Sequence, residues 1–241
     1  MKRPHLAMEL FRALVSALAG VSGWIIIAPL AALVPKQKNR IVVIGRQHGK
    51  FLDNAKQFYL QAGSTKNPPI LTFLTEHEQT LELFRKSGQH ALKYPSAAAF
   101  WCLLRCNVMV CDSTEWCRHF RRFFLLRAHV VQLWHGVPLK RIEMDKWRHE
   151  TGRYRIFSSS LVFALRMLVY RVSGRLVRYD VVTAPSTFYC EASFRRAFLA
   201  KRFLVVGYPR NVFALAGGDA KLTWGNVDPS IRARLDEWAR A

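Results

Sequence analysis

Short apolar, β-branched runs alternate along the chain with polar stretches whose apolar residues fall at helical spacing. Arg40-Ile-Val-Val-Ile-Gly45 reads as a first strand closing in a glycine turn, with a helix over 53–61. A strand over 69–74 and a helix over 76–86 follow, then a short strand over 90–94 and a helix over 96–104. Asn107-Val-Met-Val-Cys111 is the next strand, and Asp112-Ser113-Thr114 offers cap chemistry for a helix reaching about residue 126. The apolar run from His129 predicts a central strand that breaks at Gly136 and Pro138. Asp180-Val-Val-Thr-Ala-Pro185 is a further strand, and Ser186 caps a helix over 187–199. Phe203-Leu-Val-Val-Gly207 is the last strand, and Asp228-Pro229 starts a terminal helix after a loose Gly217-Gly218 segment. Such alternation predicts an α/β fold, a Rossmann-like and mostly parallel sheet covered by helices on both faces.

Two stretches stand outside this alternation. Residues 13–34 carry no charge and have Lys2, Arg3 and Arg12 before them and Lys36, Lys38 and Arg40 after. Their length suits an amino-terminal hydrophobic membrane helix. Basic residues on both flanks favour a shallow or re-entrant attachment to the cytoplasmic leaflet over a simple crossing, and a secretory signal is the weakest reading. In residues 161–178, Leu161, Leu165, Leu168 and Val172 share one helical face while Arg166, Arg171, Arg175 and Arg178 interrupt it. That pattern fits an anionic membrane surface or a helix packed on the sheet.

The stretch with the most chemistry is His129-Val-Val-Gln-Leu-Trp-His-Gly-Val-Pro-Leu-Lys-Arg141. It puts His135 at the carboxyl end of a central strand, the edge where open α/β sheets bind ligands. Gly136 lets the backbone approach a ligand closely, and Lys140 and Arg141 add positive charge. An imidazole, a glycine and two cations at a strand end suit a phosphorylated substrate. Taken alone, the same residues also read as a core Trp134, a bonded strand terminus and a solvated turn.

Composition narrows the partners. The 241 residues hold 37 Lys and Arg against 16 Asp and Glu, a net charge of +21, which calls for an anionic partner. Phospholipid, polyphosphate polymer and nucleic acid all qualify, but no zinc-finger, RNP-like or recognition-helix pattern supports nucleic acid. Cys102, Cys106, Cys111, Cys117 and Cys190 are an odd count set in apolar runs, which fits buried, reduced thiols. Their spacing, even with His119, matches no common zinc pattern, so no metal is expected.

Gln132-Leu-Trp-His-Gly-Val-Pro-Leu-Lys-Arg141 resembles the Trp-His-Gly-Thr-Pro-Leu-Lys signature of the CDP-glycerol glycerophosphotransferases, the teichoic-acid and capsule-polymer primases and polymerases. Phe51-Leu-Asp-Asn-Ala-Lys-Gln-Phe-Tyr59 is similar to the family's Asp-Asn-Pro-Lys segment. Tyr179-Asp180 through Ser186 resembles its strand-plus-serine segment, and Gly207-Tyr-Pro-Arg-Asn211 its Gly-Tyr-Pro-Arg-Asn-Asp. Val137 and Val212 stand where the family has Thr and Asp. The resemblance covers roughly residues 40–215.

What the resemblance implies is the amino-terminal half of a two-domain GT-B architecture. Residues 1–39 would be the membrane-associating segment, 40–215 the Rossmann-like domain, and 216–241 a linker into a second domain. The implied reaction is attack by an acceptor hydroxyl on the β-phosphorus of CDP-glycerol or a related CDP-alditol, with release of CMP and no cofactor. His135 would be the base, with Gly136, Lys140, Arg210 and Asn211 binding substrate. Arg210 reads equally as a turn arginine, and Asp53 and Lys56 as a helix start and its solvated face. The acceptor would be a lipid-linked or polyglycerol-phosphate chain at the cytoplasmic face of the cell membrane. A non-catalytic membrane-bound remnant or partner subunit, and a basic nucleic-acid-binding module, are the competing readings.

Overall fold

The structure is a computed structural model that describes residues 15, 18–118, 120–153, 164, 167–168, 170–172, 176–211 and 237. Seven strands form one sheet: β1 Gln37–Ile44, β2 Ile70–Thr75, β3 Ala91–Lys93, β4 Cys106–Cys111, β5 His129–Gln132, β6 Arg178–Ala184 and β7 Leu199–Val205. Their order is β3-β2-β1-β4-β5-β6-β7, and every pairing is parallel, as the alternating pattern predicts. The order reverses between β1 and β4, so the crevice of a doubly wound sheet opens above Ile44 and Cys111.

Two cores explain the apolar runs. Successive strand residues face opposite sides. Val42, Ile44, Met109 and Cys111 pack on one face with Trp116, Phe123 and Phe194. Val43, Phe73, Val110 and Leu133 pack on the other with Phe51, Ala55, Tyr59 and Phe84. The second face is covered partly by helix α2 (Asp53–Gly63), the first partly by α4 (Ala97–Arg105), whose Ser96 cap accepts a hydrogen bond from the Ala99 N–H at 3.1 Å. Helix α3 is Glu78–Lys86, and α1 is Ala28–Leu33, preceded by the π-helical turn Gly23–Ile27.

Several boundaries move. The predicted helix over 112–126 breaks into a 3₁₀ turn, Glu115–Cys117, and a short α5, Arg121–Phe124. Burial of Trp116 beneath Tyr94 and of Cys117 beside Cys111 overrides the local helical preference. Strand β5 stops at Gln132, so His135, expected at the carboxyl end of the strand, lies in the loop just past that end. Helix α6, Glu143–Arg153, has no counterpart among the predicted elements. Ser186 does cap a helix, accepting from the Tyr189 N–H, but its turns (α7 Thr187–Tyr189, a π-turn, α8 Arg195–Ala197) end before β7. Strand β7 begins earlier than its apolar run because exposed Lys201 and Arg202 interrupt it on the sheet edge.

Among the described residues no helix is long and apolar enough to cross a membrane. The spanning reading of residues 13–34 thus finds no support. Residues 18–33 instead lay Gly20, Gly23, Ile27 and Ala31 on the core. A Cβ at Gly23 would fall 2.1 Å from a ring carbon of Phe123, which is why that position is glycine. All five cysteines are free and buried. The Gly217-Gly218 segment, the helix expected from Asp228, His119 and most of residues 154–175 lie outside the described residues.

Candidate active site

The site is built where the chain leaves the strands at their carboxyl ends. Paired registers bring Ile44, Cys111 and Gln132 level. The next residues, Gly45, Asp112 and Leu133, therefore pass over the sheet edge together. After β1 the turn Arg46–Gly49 carries positive φ at Gln47, His48 and Gly49 and delivers the chain to α2. At Gly49 a Cβ would sit 2.5 Å from the Leu74 carbonyl oxygen, so glycine is required twice over.

The main chain before His135 is pinned at every polar atom. The Leu133 N–H donates to the Cys111 carbonyl at 2.8 Å, and the Thr183 hydroxyl donates to the Leu133 carbonyl at 3.1 Å. The fully buried Gln132 accepts from the Trp134 N–H at 2.9 Å while its amide donates to the Ser113 carbonyl at 3.1 Å. Asn54 of α2, also fully buried, donates from Nδ2 to the Trp134 carbonyl at 2.8 Å. This net holds Trp134 at φ 56°, a conformation that costs a non-glycine residue about 1–3 kcal/mol.

His135 follows with its ring against the Trp134 indole, centroids 4.2 Å apart. Its Nδ1 lies 2.8 Å from the main-chain carbonyl of Asp112. A carbonyl only accepts, so Nδ1 carries the hydrogen and the neutral ring keeps a free lone pair on Nε2. The arrangement is that of a positioned proton acceptor.

Segment 207–211 comes back over α2 to close the site. The Arg210 N–H donates to Asn54 Oδ1 at 3.2 Å, and the Tyr208 hydroxyl donates to the Gly136 carbonyl at 2.7 Å. Arg210 Nη1 reaches Asp53 Oδ1 at 2.6 Å and the His135 carbonyl at 3.1 Å. Asp53 holds a second cation, Arg46, at 3.0 Å. Two guanidiniums thus meet one carboxylate at the mouth of the crevice, leaving net positive charge there.

Beneath them lies Asp112, fully buried, its carboxylate facing the backbone N–H groups of Ala55 and Arg46. Burial pushes its carboxyl up to about 7, with the backbone N–H groups of Ala55 and Arg46 offsetting part of that and the Asp53 charge adding to it.

Of the residues singled out in the sequence, His135, Gly136 and Arg210 are brought together. Lys140 and Asn211 are exposed, and among the described residues no hydrogen bond or ion pair ties the Lys140 ammonium to the cluster. A Cβ at Gly136 would meet no protein atom within 4 Å, so the fold itself does not demand glycine there. Asp53 does begin α2, as expected, and it also pairs with Arg210. Lys56, expected on a solvated face, needs correction: it is buried, its ammonium 5.4 Å from the Phe51 ring centroid and pushed by burial down to about 7. Asp180, expected at a strand entrance, does lie near the start of β6, where it accepts from Val130 N–H and pairs with Lys201. Asn54, Asp112 and Gln132 were missed as site residues. Only the Asp-Asn pair at the head of α2 carried a signal.

Asn54 bridges two loops, bonding the Trp134 carbonyl and the Arg210 N–H, groups with no other hydrogen bond among the described residues. Asn54→Ala is expected to destabilise the protein by about 1–3 kcal/mol, seen as a lower midpoint in urea. An unchanged midpoint would mean that water replaces both bonds.

The sequence profile of the CDP-glycerol:poly(glycerophosphate) glycerophosphotransferases matches residues 26–222. No curated protein sequence matches the chain. Among solved structures, the wall teichoic acid polymerase TagF superposes with a TM-score of 0.54 and 16% identity, over 87% of this chain and 50% of TagF. A histidine-to-alanine variant of TagF gives 0.55 and 16%, over 88% and 50%. A histidine-to-asparagine TagF variant soaked with CDPG gives 0.54 and 15%, over 87% and 52%. The chain spans about half the length of these structures, and at such identities the likeness is one of fold.

Proposed function

The chain belongs to the CDP-glycerol:poly(glycerophosphate) glycerophosphotransferase family, and on that footing we propose that it transfers glycerol phosphate from CDP-glycerol to a membrane-linked acceptor at the cytoplasmic face, in teichoic acid or capsular polymer synthesis. The acceptor hydroxyl attacks the β-phosphorus of the donor. A new phosphorus–oxygen bond forms as the bond to the bridging oxygen breaks, and CMP leaves with that oxygen. The hydroxyl proton passes to Nε2 of His135.

The observation that carries this reading is the His135 geometry, with Nδ1–H committed to the Asp112 carbonyl and Nε2 left to take a proton. The remaining residues supply charge stabilisation. Arg210 spends only Nη1 on Asp53 and the His135 carbonyl, so its other N–H groups are available to the diphosphate. Lys140 and Asn211, both exposed, would close on bound donor, and the open space over Gly136 admits a phosphate against the backbone.

The test is CMP release from CDP-glycerol by the purified chain, with membranes supplied as acceptor. Release that depends on the membranes is the expected result. A folded chain that releases no CMP from CDP-glycerol or from other CDP-alditols would overturn the proposal.

A further inference from the structure

At the opposite, amino-terminal edge of the sheet lies a cavity of about 300 Å³ lined by Arg122, Arg171, Leu176, Arg178, Leu199 and Ala200. Three guanidiniums from three separate segments share it: Arg122 on α5, Arg171 on the helical stretch 170–172, and Arg178 at the start of β6. Among the described residues none of the three has a carboxylate partner; Arg122 donates only to the Leu176 carbonyl, at 2.7 Å. Asp180 lines an adjoining cavity of about 390 Å³ and is already held by Lys201, His129 and the Val130 N–H, and Glu143, lining another, is held by Arg118. Burial and then the charges of Arg171 and Arg178 push Arg122 below the usual arginine range. Like charges gathered without a counter-ion define a site for an anion.

The surroundings say which anion. Trp24, on the helical segment 18–33, donates from Nε1 to the Val172 carbonyl at 3.2 Å and packs edge-on against Phe123, 5.2 Å between centroids. The segment is therefore fastened directly beside Arg171 and Arg122. Its outer face presents Leu18, Trp24, Ile25, Ile26 and Leu33 to solvent, and Leu168 and Val172 extend that surface. An apolar surface of this size rimmed by arginines suits a bilayer interface, with side chains among the acyl chains and cations at headgroup depth. A duplex nucleic acid would gain nothing from the exposed leucines and isoleucines.

We propose that the cavity walled by Arg122, Arg171 and Arg178 binds the phosphate headgroup of a membrane lipid, with the outer face of segment 18–33 lying in the adjoining acyl region. The site is remote from His135 and shares only its membrane setting with the transfer reading. Binding is scored without donor, so the two fail separately.

The experiment is co-sedimentation of the full chain with vesicles of phosphatidylcholine, with and without phosphatidylglycerol. Arg171→Gln/Arg178→Gln is the main variant, since both side chains are exposed and bear no structural hydrogen bond. Arg85→Gln/Lys86→Gln on α3 is the control with the same charge loss. The first pair is expected to lose roughly thirtyfold in affinity for phosphatidylglycerol vesicles, and the control much less. Trp24→Phe should abolish a large part of the vesicle-induced blue shift of tryptophan emission. Equal losses in the two pairs, or none in the first, would overturn the site. So would retention on DNA without vesicle binding, or release from vesicles by millimolar inorganic phosphate at constant ionic strength, which would mark a free-phosphate site instead.

Discussion

His135→Ala is expected to lower acceptor-dependent CMP release by about 10²–10⁴-fold while leaving the unfolding midpoint nearly unchanged. The imidazole is half-buried and bonded through a single ring nitrogen, so its removal costs little packing. The Trp134–His135 main chain stays held by Asn54, Gln132 and Arg210 whatever side chain stands at position 135. The loss should fall on kcat rather than KM, because a base acts on the hydroxyl only as the proton moves. A variant that keeps most of its CMP release would remove His135 from the reaction. The proton would then have to leave by another group, and Asp112, buried close to the same loop, would be next to examine.

The second large effect concerns Asp112 and pH. Folding raises this carboxyl from 3.8 to about 7, mainly through burial. The folded state therefore binds the proton more tightly than the unfolded state. The associated stability is complete below the unfolded value and disappears as pH rises through about 7. The gap corresponds to roughly 4 kcal/mol between pH 3 and pH 8. Asp112→Asn keeps the main-chain carbonyl that His135 uses and cannot ionise. Relative to the parent chain it should be close to neutral near pH 4 and gain stability progressively toward pH 8. Urea melts of both proteins across that range measure the difference directly, and parallel curves would show that the carboxylate is solvated or paired in solution.

Segment 18–33 shows how a composition signal and a tertiary role separate. Its uncharged run is compatible with bilayer and core alike, because both are apolar solvents for a side chain. Gly23 against Phe123 and the burial of Ile27 and Ala31 settle that one face belongs to the protein. The other face stays exposed, and that division could not be read from hydropathy.

The chain's own pattern was enough for the layered α/β architecture, for the position of each strand to within a few residues, and for the neighbourhood of His135. Alternation and helical spacing record which side of an element is buried, and burial acts on each element separately. It was not enough for the partners of His135. Arg210 meets Asp53, and Asn54 meets Trp134, only because the strand order places β1, β4 and β5 side by side and segment 207–211 folds back over α2. The burial of Lys56 and Asp112 and the exposure of Lys140 have the same origin. Each depends on which loop covers which, and side chain to main chain bonds between loops far apart in sequence leave no periodic trace along the chain.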